Sequence, residues 1–178
     1  MTHAIIVVGS ARPGRVADSV AAQVAQELST YSDVTASIVD LAELNLPFFN
    51  NEHVPSDPNY TLTDERVIAW SKLVGDADVV IFVTPEYNHT LSAIQKNAID
   101  SLYKEWNDKQ VAVVAYGWAG GARSVSTLKE VATVVKMNVG EHPAELFFTK
   151  DLATDGSIID AASVKNKIHT ALDDIIGS

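Results

Sequence analysis

The 178-residue chain has no cysteine, which removes a disulfide framework, a thiolate metal site and a cysteine nucleophile together, and fits a reducing compartment, the cytoplasm by default. Positive charge is scarce as well. Thirteen Lys and Arg stand against 23 Asp and Glu, a net charge of −10 at pH 7, so neither nucleic acid nor an anionic membrane surface is an expected partner. No apolar run approaches the roughly 18 residues of a membrane span. The opening MTHAIIVVGS has no basic start, and its apolar run is too short for a leader, so it reads as a first strand. The chain is nevertheless 47% hydrophobic, too apolar for disorder. Its length suits one domain over residues 1–178 with one full core.

Strand-like and helix-like patterns alternate along this length. The run Ile5–Val8 ends at Gly9 and is followed by a helical pattern through Val16, Val20, Val24 and Leu28, then by the strand-like VTASIVDL. A second helix starts at a Thr63 cap, carries Val67, Trp70 and Val74 on one face, and stops at Gly75. DVVIFVTP is nearly all apolar, as a central parallel strand covered on both faces must be. A third helix from about Leu91 to Trp106, the strand QVAVVAYG, a fourth helix through Val125, Leu128, Ala132 and Val135, a fifth strand PAELFF and a last helix striped by Ala161, Val164, Ile168, Leu172 and Ile175 complete the order. Strict alternation predicts an α/β doubly wound sheet of five parallel strands, and the size suits the flavodoxin-like order 2-1-3-4-5. The third helix shows two apolar stripes, one through Leu91, Ile94, Ala98 and Leu102 and one through Ile99, Tyr103 and Trp106. A monomer's sheet needs only one of them, so the second predicts a homodimer or a dimer of dimers. The segment PFFNNEHVPSDPNYTL, residues 47–62, is long for a connection; its aromatic residues predict an ordered loop packed on something.

In this architecture ligands sit at the carboxyl ends of the strands. After strand 1, Gly9 and Gly14 have the spacing of a Walker A loop, but Arg15 replaces its Lys and Val16 its Ser or Thr. That argues against a nucleoside triphosphatase. A G-x-G-x-x-G fingerprint is absent too, which counts against a Rossmann-type dinucleotide site. What remains is a loop leading into a helix, with the Ser10 hydroxyl and the charges of Arg12 and Arg15 suited to a phosphate without a metal. A mononucleotide is the expected ligand. After strand 3 the turn Pro85-Glu86-Tyr87-Asn88-His89 offers aromatic and hydrogen-bonding groups to a flat heterocycle, and after strand 4 Gly117, Gly120 and Gly121 allow close backbone approach.

These pieces, in this order, resemble the NAD(P)H-dependent FMN reductase family of flavodoxin-like quinone and flavin reductases. The resemblance rests on Gly9-Ser10-Ala11-Arg12-Pro13-Gly14-Arg15, on Pro85-Glu86-Tyr87-Asn88 through Lys96-Asn97-Ala98-Ile99-Asp100, and on Gly117-Trp118-Ala119-Gly120-Gly121. It implies that FMN is the cofactor, that NADPH or NADH donates hydride, and that a small molecule such as a quinone or a flavin accepts the electrons. It further implies that Ser10, Arg12 and Arg15, with Val16 beside them, hold the phosphate. Pro85, Glu86, Tyr87 and Asn88 are expected to carry the ring and Gly117, Gly120 and Gly121 to border it, with no side chain required for the hydride step. One departure is the run Ser92-Ala93-Ile94-Gln95, where many relatives have Pro or Gly followed by Leu. A non-enzymatic flavodoxin-like carrier or redox-sensing module is the alternative, though carriers of that kind usually hold phosphate with hydroxyl-rich loops rather than with two arginines.

Overall fold

Apolar side chains on both sides of every central strand dictate a sheet covered twice, and that is the architecture found. In the computed structural model, which describes residues 1–177, β1 (Thr2–Val8) pairs in parallel with β2 (Val34–Asp40) on one side and β3 (Val79–Pro85) on the other. β4 (Gln110–Gly117) extends the sheet beyond β3. The expected domain boundary at 178 lies outside the described residues. Ala4, Ile6 and Val8 of β1 join the core under α1 (Ala17–Leu28) and α6 (Ala161–Ile176). Ile5 and Val7 join the opposite core under α3 (Glu65–Asp76), α4 (Ala93–Asp100) and α5 (Ala122–Val135). Successive strand residues alternate faces, so one apolar run feeds both layers. No helix among the described residues is long and apolar enough to cross a membrane.

The order β2-β1-β3-β4-β5 is the expected one, but two short segments share its fifth place. β5 (Asn138–Val139) pairs with Gln110 and Val111, and β6 (Ala144–Phe147) pairs with Val114 to Gly117. Between them the His142 N–H donates to Asp174 Oδ2 at 2.6 Å instead of to the sheet, and Pro143 has no N–H to give. The interruption is therefore chemical. A further short helix, α2 (Leu41–Leu44), follows β2, capped by Asp40, which accepts from the Ala42 N–H at 2.8 Å.

Helix ends also differ from the sequence pattern. Asp64, not Thr63, caps α3, and Gly75 lies inside that helix. α4 stops at Asp100 although apolar periodicity runs on to Trp106. The Ala98 carbonyl accepts the Trp70 indole N–H at 2.8 Å, and the Ile99 carbonyl accepts that of Trp106 at 3.1 Å. Those carbonyls are the ones a longer helix needs. Ile99 and Trp106 of the second stripe are fully buried within one chain, and Tyr103 packs, partly buried, against the same core, so the stripe is used inside the chain. That removes the argument on which the dimer was expected.

The segment 47–62 packs on α4, as an ordered loop should. Asn97 clamps it from both sides, donating Nδ2 to the Pro47 carbonyl at 2.9 Å and accepting the Phe49 N–H on Oδ1 at 2.9 Å. The Tyr60 hydroxyl donates to the Ser101 carbonyl at 2.8 Å. Replacing Asn97 by Ala is expected to lower stability by about 1–2 kcal/mol, expressed locally. Amide exchange and proteolysis should quicken within residues 47–62 while exchange in β1 and β3 stays unchanged; uniform acceleration would contradict the clamp.

Candidate functional site

Parallel register brings the carboxyl ends of the strands to one edge. Val8 stands opposite Asp40 in β2 and Val83 in β3, while Pro85 stands opposite Tyr116 in β4. The loops that follow enclose a cleft of about 530 Å³, within the range typical of small-molecule sites. Of the expected residues, Ser10, Arg12, Arg15, Val16, Pro85, Glu86, Tyr87, Asn88 and Gly117 line it; Gly120 and Gly121 do not. The reason those two are glycines is packing. A Cβ on Gly120 would come within 2.7 Å of the Phe147 ring, one on Gly121 within 2.6 Å of Ala115 Cβ, and both residues have positive φ. They let the turn after β4 close on the sheet and do not border the cavity.

The wall nearest α1 is rich in donors. Val16 is the N-cap of α1 and no side chain caps that helix, so its first N–H groups are open to an anion. Arg12 is exposed and, among the described residues, pairs with nothing. Arg15 is engaged throughout: Nε donates to Asp18 Oδ1 at 2.8 Å, Nη1 to the Ser10 carbonyl at 2.5 Å and to Asp40 Oδ1 at 3.0 Å, and Nη2 to Asp40 Oδ2. Its hydrogen bonds to Asp40 hold the guanidinium above its usual value despite partial burial. Burial alone would raise the Asp40 carboxyl; Arg15 and the Ala42 N–H outweigh it and hold the group below the usual carboxylate range. The two arginines of this loop are therefore in different electrostatic situations.

On the β3 side, Tyr87 and Thr90 exchange backbone hydrogen bonds at 3.0 and 3.1 Å, with Asn88 and His89 both in the left-handed region at φ 48° and 68°. This is a two-residue turn of the kind that favours Asn at its first central position. It presents Tyr87, whose hydroxyl shares a 2.7 Å hydrogen bond with Ser10 Oγ at the cleft floor. Glu86 turns to α5 and accepts the Arg123 N–H and Nη1, both at 3.2 Å. It thus caps a helix whose own N-cap, Gly121, has no side chain. Glu86 lines the cleft and at the same time joins two of its walls.

The remaining wall is aromatic, and the sequence pattern does not reveal it. Tyr116, Phe148 and Trp118 line the cleft, with Phe148 packed edge-on to Tyr116 at 6.2 Å and to Trp118 at 5.4 Å between ring centroids. Burial raises the Tyr116 phenol well above its usual value, so it stays neutral. Trp118 is 71% exposed at the rim, and the N–H groups of Trp118 and Ala119 have no acceptor among the described residues. Phe148 and Thr154 come from the segment after β6; only the rule that every strand's carboxyl end faces the site would have flagged them. Asp151 holds that segment. It is 2% exposed and accepts the Phe147 N–H at 2.8 Å, Ser163 Oγ at 2.7 Å and Lys167 Nζ at 2.7 Å. MTHAIIVVGS and the rest of the chain bring no cluster of three or more His, Asp or Glu able to hold a metal among the described residues.

With this geometry, comparison with known proteins is direct. A family model described as NADPH-dependent FMN reductase matches residues 2–147. The chain is 36% identical over 143 residues to an NAD(P)H-dependent FMN reductase of Saccharomyces cerevisiae, covering 75% of each. It is 34% identical over 158 residues to one of Schizosaccharomyces pombe, covering 89% of this chain and 78% of that one. Among solved structures, a flavoenzyme NAD(P)H:(acceptor) oxidoreductase of Paracoccus denitrificans is similar with a TM-score of 0.73 and 24% identity, over 98% of this chain and 97% of the other. At that identity the likeness is one of fold.

Asp151 makes the aromatic wall sensitive to acid. Burial alone would raise its carboxyl, but Lys167 and the N–H and hydroxyl donors outweigh that and lower it. A lowered folded value means that the stabilisation is full above about pH 4, the unfolded value, and is lost as the pH falls through the folded one. Asp151→Asn is expected to cost about 1–2 kcal/mol at neutral pH and to flatten the acid limb of the stability curve below pH 4; denaturant melts from pH 7 down to pH 2 check both, and an unchanged acid limb would count against the assignment.

Proposed function

The chain belongs to the NADPH-dependent FMN reductase family, and from that premise we propose that the cleft is an FMN site at which hydride from NADPH or NADH is delivered, by way of the flavin, to a small-molecule acceptor such as a quinone or a flavin. One observation carries the assignment of the site. α1 begins without a side-chain cap beside the exposed Arg12, which pairs with no group among the described residues, so helix N–H donors and a free cation meet at the same end of a cleft in a protein of net charge −10. That donor set suits a phosphate. The opposite wall, with Pro85, Tyr116, Phe148 and Trp118, suits a flat ring system, so the residues present fit the two halves of a flavin mononucleotide.

FMN bound there supplies hydride acceptance and electron delivery. The chain's own residues bind and orient it. Arg12, the Ser10 hydroxyl and the first N–H groups of α1 hold the phosphate end. The turn at Tyr87 and Asn88 and the aromatic wall confine the ring. The unpartnered N–H groups of Trp118 and Ala119 are the donors available to negative charge on the ring. No acid–base side chain is assigned, because the transferred hydride carries its own electron pair. The exposed Trp118 rim leaves the cleft open on one side, as successive visits by a nicotinamide donor and an acceptor require.

This reading includes a single domain and a cytoplasmic setting, which the cysteine-free composition supports. It also includes a homodimer or dimer of dimers resting on exposed apolar side chains away from the cleft mouth such as Phe48, 77% exposed; sedimentation only as a monomer at micromolar concentration removes that part.

Purified protein is expected to be yellow or to take up added FMN, and the bound flavin to bleach rapidly on anaerobic titration with NADPH or NADH. Arg12→Ala should weaken FMN by about tenfold or more while leaving riboflavin, which lacks the phosphate, unaffected. A colourless protein that refuses FMN overturns the site; a flavin that binds but bleaches slowly with both donors turns the reading to an electron carrier.

A further inference from the structure

The loop between β1 and α1 contains two arginines in opposite situations. Arg12 is exposed and unpaired among the described residues. The Arg15 side chain is 14% exposed, and all three of its guanidinium nitrogens donate to groups of the chain itself. Two carboxylates, Asp18 and Asp40, face that one cation. The trio is net negative and has no spare positive charge for a dianion. Asp40 stands at the end of β2 opposite Val8 and also caps α2 through the Ala42 N–H, so the ion pair ties the loop to a second, independently anchored element. Its side chain is 13% exposed, and an Arg–carboxylate pair with both oxygens engaged fixes orientation as well as distance.

The bond from Nη1 to the Ser10 carbonyl has a geometric consequence. A trans peptide is planar, with its C=O and N–H pointing in opposite directions. Pulling the Ser10 oxygen toward Arg15 therefore turns the Ala11 N–H away from it. No acceptor among the described residues takes the N–H groups of Ala11 or Arg12. The second arginine thus fixes one orientation of the Ser10–Ala11 peptide, with the N–H groups of the loop left free for an outside acceptor.

We propose that Arg15 is a positioning residue and not a phosphate contact: locked onto Asp40, it presets the Ser10–Ala11 peptide so that the N–H groups of the loop, together with Arg12, are ready for the anion. This rests on the reading of the cleft as an FMN site and deepens it. It reverses the expectation that Arg15 grips the phosphate, and it gives Asp40 a counterintuitive part, since removing a carboxylate beside an anion site is then harmful.

The test compares the FMN-free wild-type protein with Arg15→Ala, Asp40→Ala, Asp40→Asn and the double variant Arg15→Ala/Asp40→Ala. Affinities for FMN and riboflavin are read from flavin fluorescence, and amide exchange of residues 10–16 is read without flavin. Asp40→Asn keeps an oxygen for the Ala42 N–H and is the variant of choice if the alanine variants do not fold. The expected result is that the Asp40 variants weaken FMN by about tenfold, as Arg15→Ala does. The double variant should be no worse than either single one, and exchange at residues 10–16 should quicken while that in β3 does not. If Asp40→Ala leaves FMN binding unchanged or tightens it while Arg15→Ala weakens it, Arg15 holds the phosphate itself and the proposal is overturned. Unchanged exchange at residues 10–16 in Asp40→Asn overturns it as well. Should wild-type protein bind no FMN while exchange still quickens in Asp40→Asn, the preset loop stands and the cofactor reading is what fails.

Discussion

Parallel pairing is the constraint on which everything else hangs. Once β1 lies between β2 and β3 in register, with Val8 level with Asp40 and Val83, every loop leaving the sheet at its carboxyl edge is delivered to the same place. Crossover helices are then required on both faces, and the alternation of Ala4, Ile6 and Val8 with Ile5 and Val7 between two cores supplies the apolar surface that holds them. The site is a by-product of this topology in the sense that no long-range folding of loops is needed to assemble it. What the loops add is chemistry at an edge already built.

Charge is distributed at that edge with economy. Most basic groups close to the cleft are matched by acids of the chain: Arg15 by Asp18 and Asp40, and Arg123 by Glu86. These pairs act as braces between segments. Arg15 joins the first loop to β2, and Glu86 joins the turn after β3 to the start of α5. Arg12 is left over in a strongly acidic molecule, which makes it the local exception an anion can find. The distinction between a bracing arginine and a binding one rests on partner geometry, because the residue type is the same in both.

That distinction also marks where the sequence stops being legible. The strand order and the location of the site follow from the alternation of strand-like and helix-like segments, since strands buried on both faces read as continuous apolar runs that stand out from the periodic helices between them. The joint motif at Gly9 to Arg15, Pro85 to Asn88 and Gly117 to Gly121 was legible as a family likeness, but the work of individual members was not. Gly120 and Gly121 look like ligand-facing glycines and serve instead to pack against Phe147 and Ala115. Asp40 is legible at most as the local cap of α2; its part in the loop after β1 arises because a neighbouring strand places it beside Arg15. The end of α4 is hidden for a related reason: Trp70 and Trp106 take carbonyls of its last turn through indole donors that no periodicity records. The aromatic wall stayed hidden although its strand was legible, because the pattern PAELFF does not show that Phe148 passes beyond the end of the strand and turns into the cleft.

The three tryptophans divide sharply between interior and surface. Trp70 and Trp106 touch in an edge-on pair at 5.8 Å and are fully buried, whereas Trp118 stands in solvent at the mouth of the cleft. Nature has thereby fitted the molecule with two optical reporters of different kind. The inner pair emits from a dry, rigid setting and registers the integrity of the core. The outer indole, bathed in relaxing water, emits further to the red and is open to collisional quenchers, so traffic through the entrance can be followed by light without attaching any label.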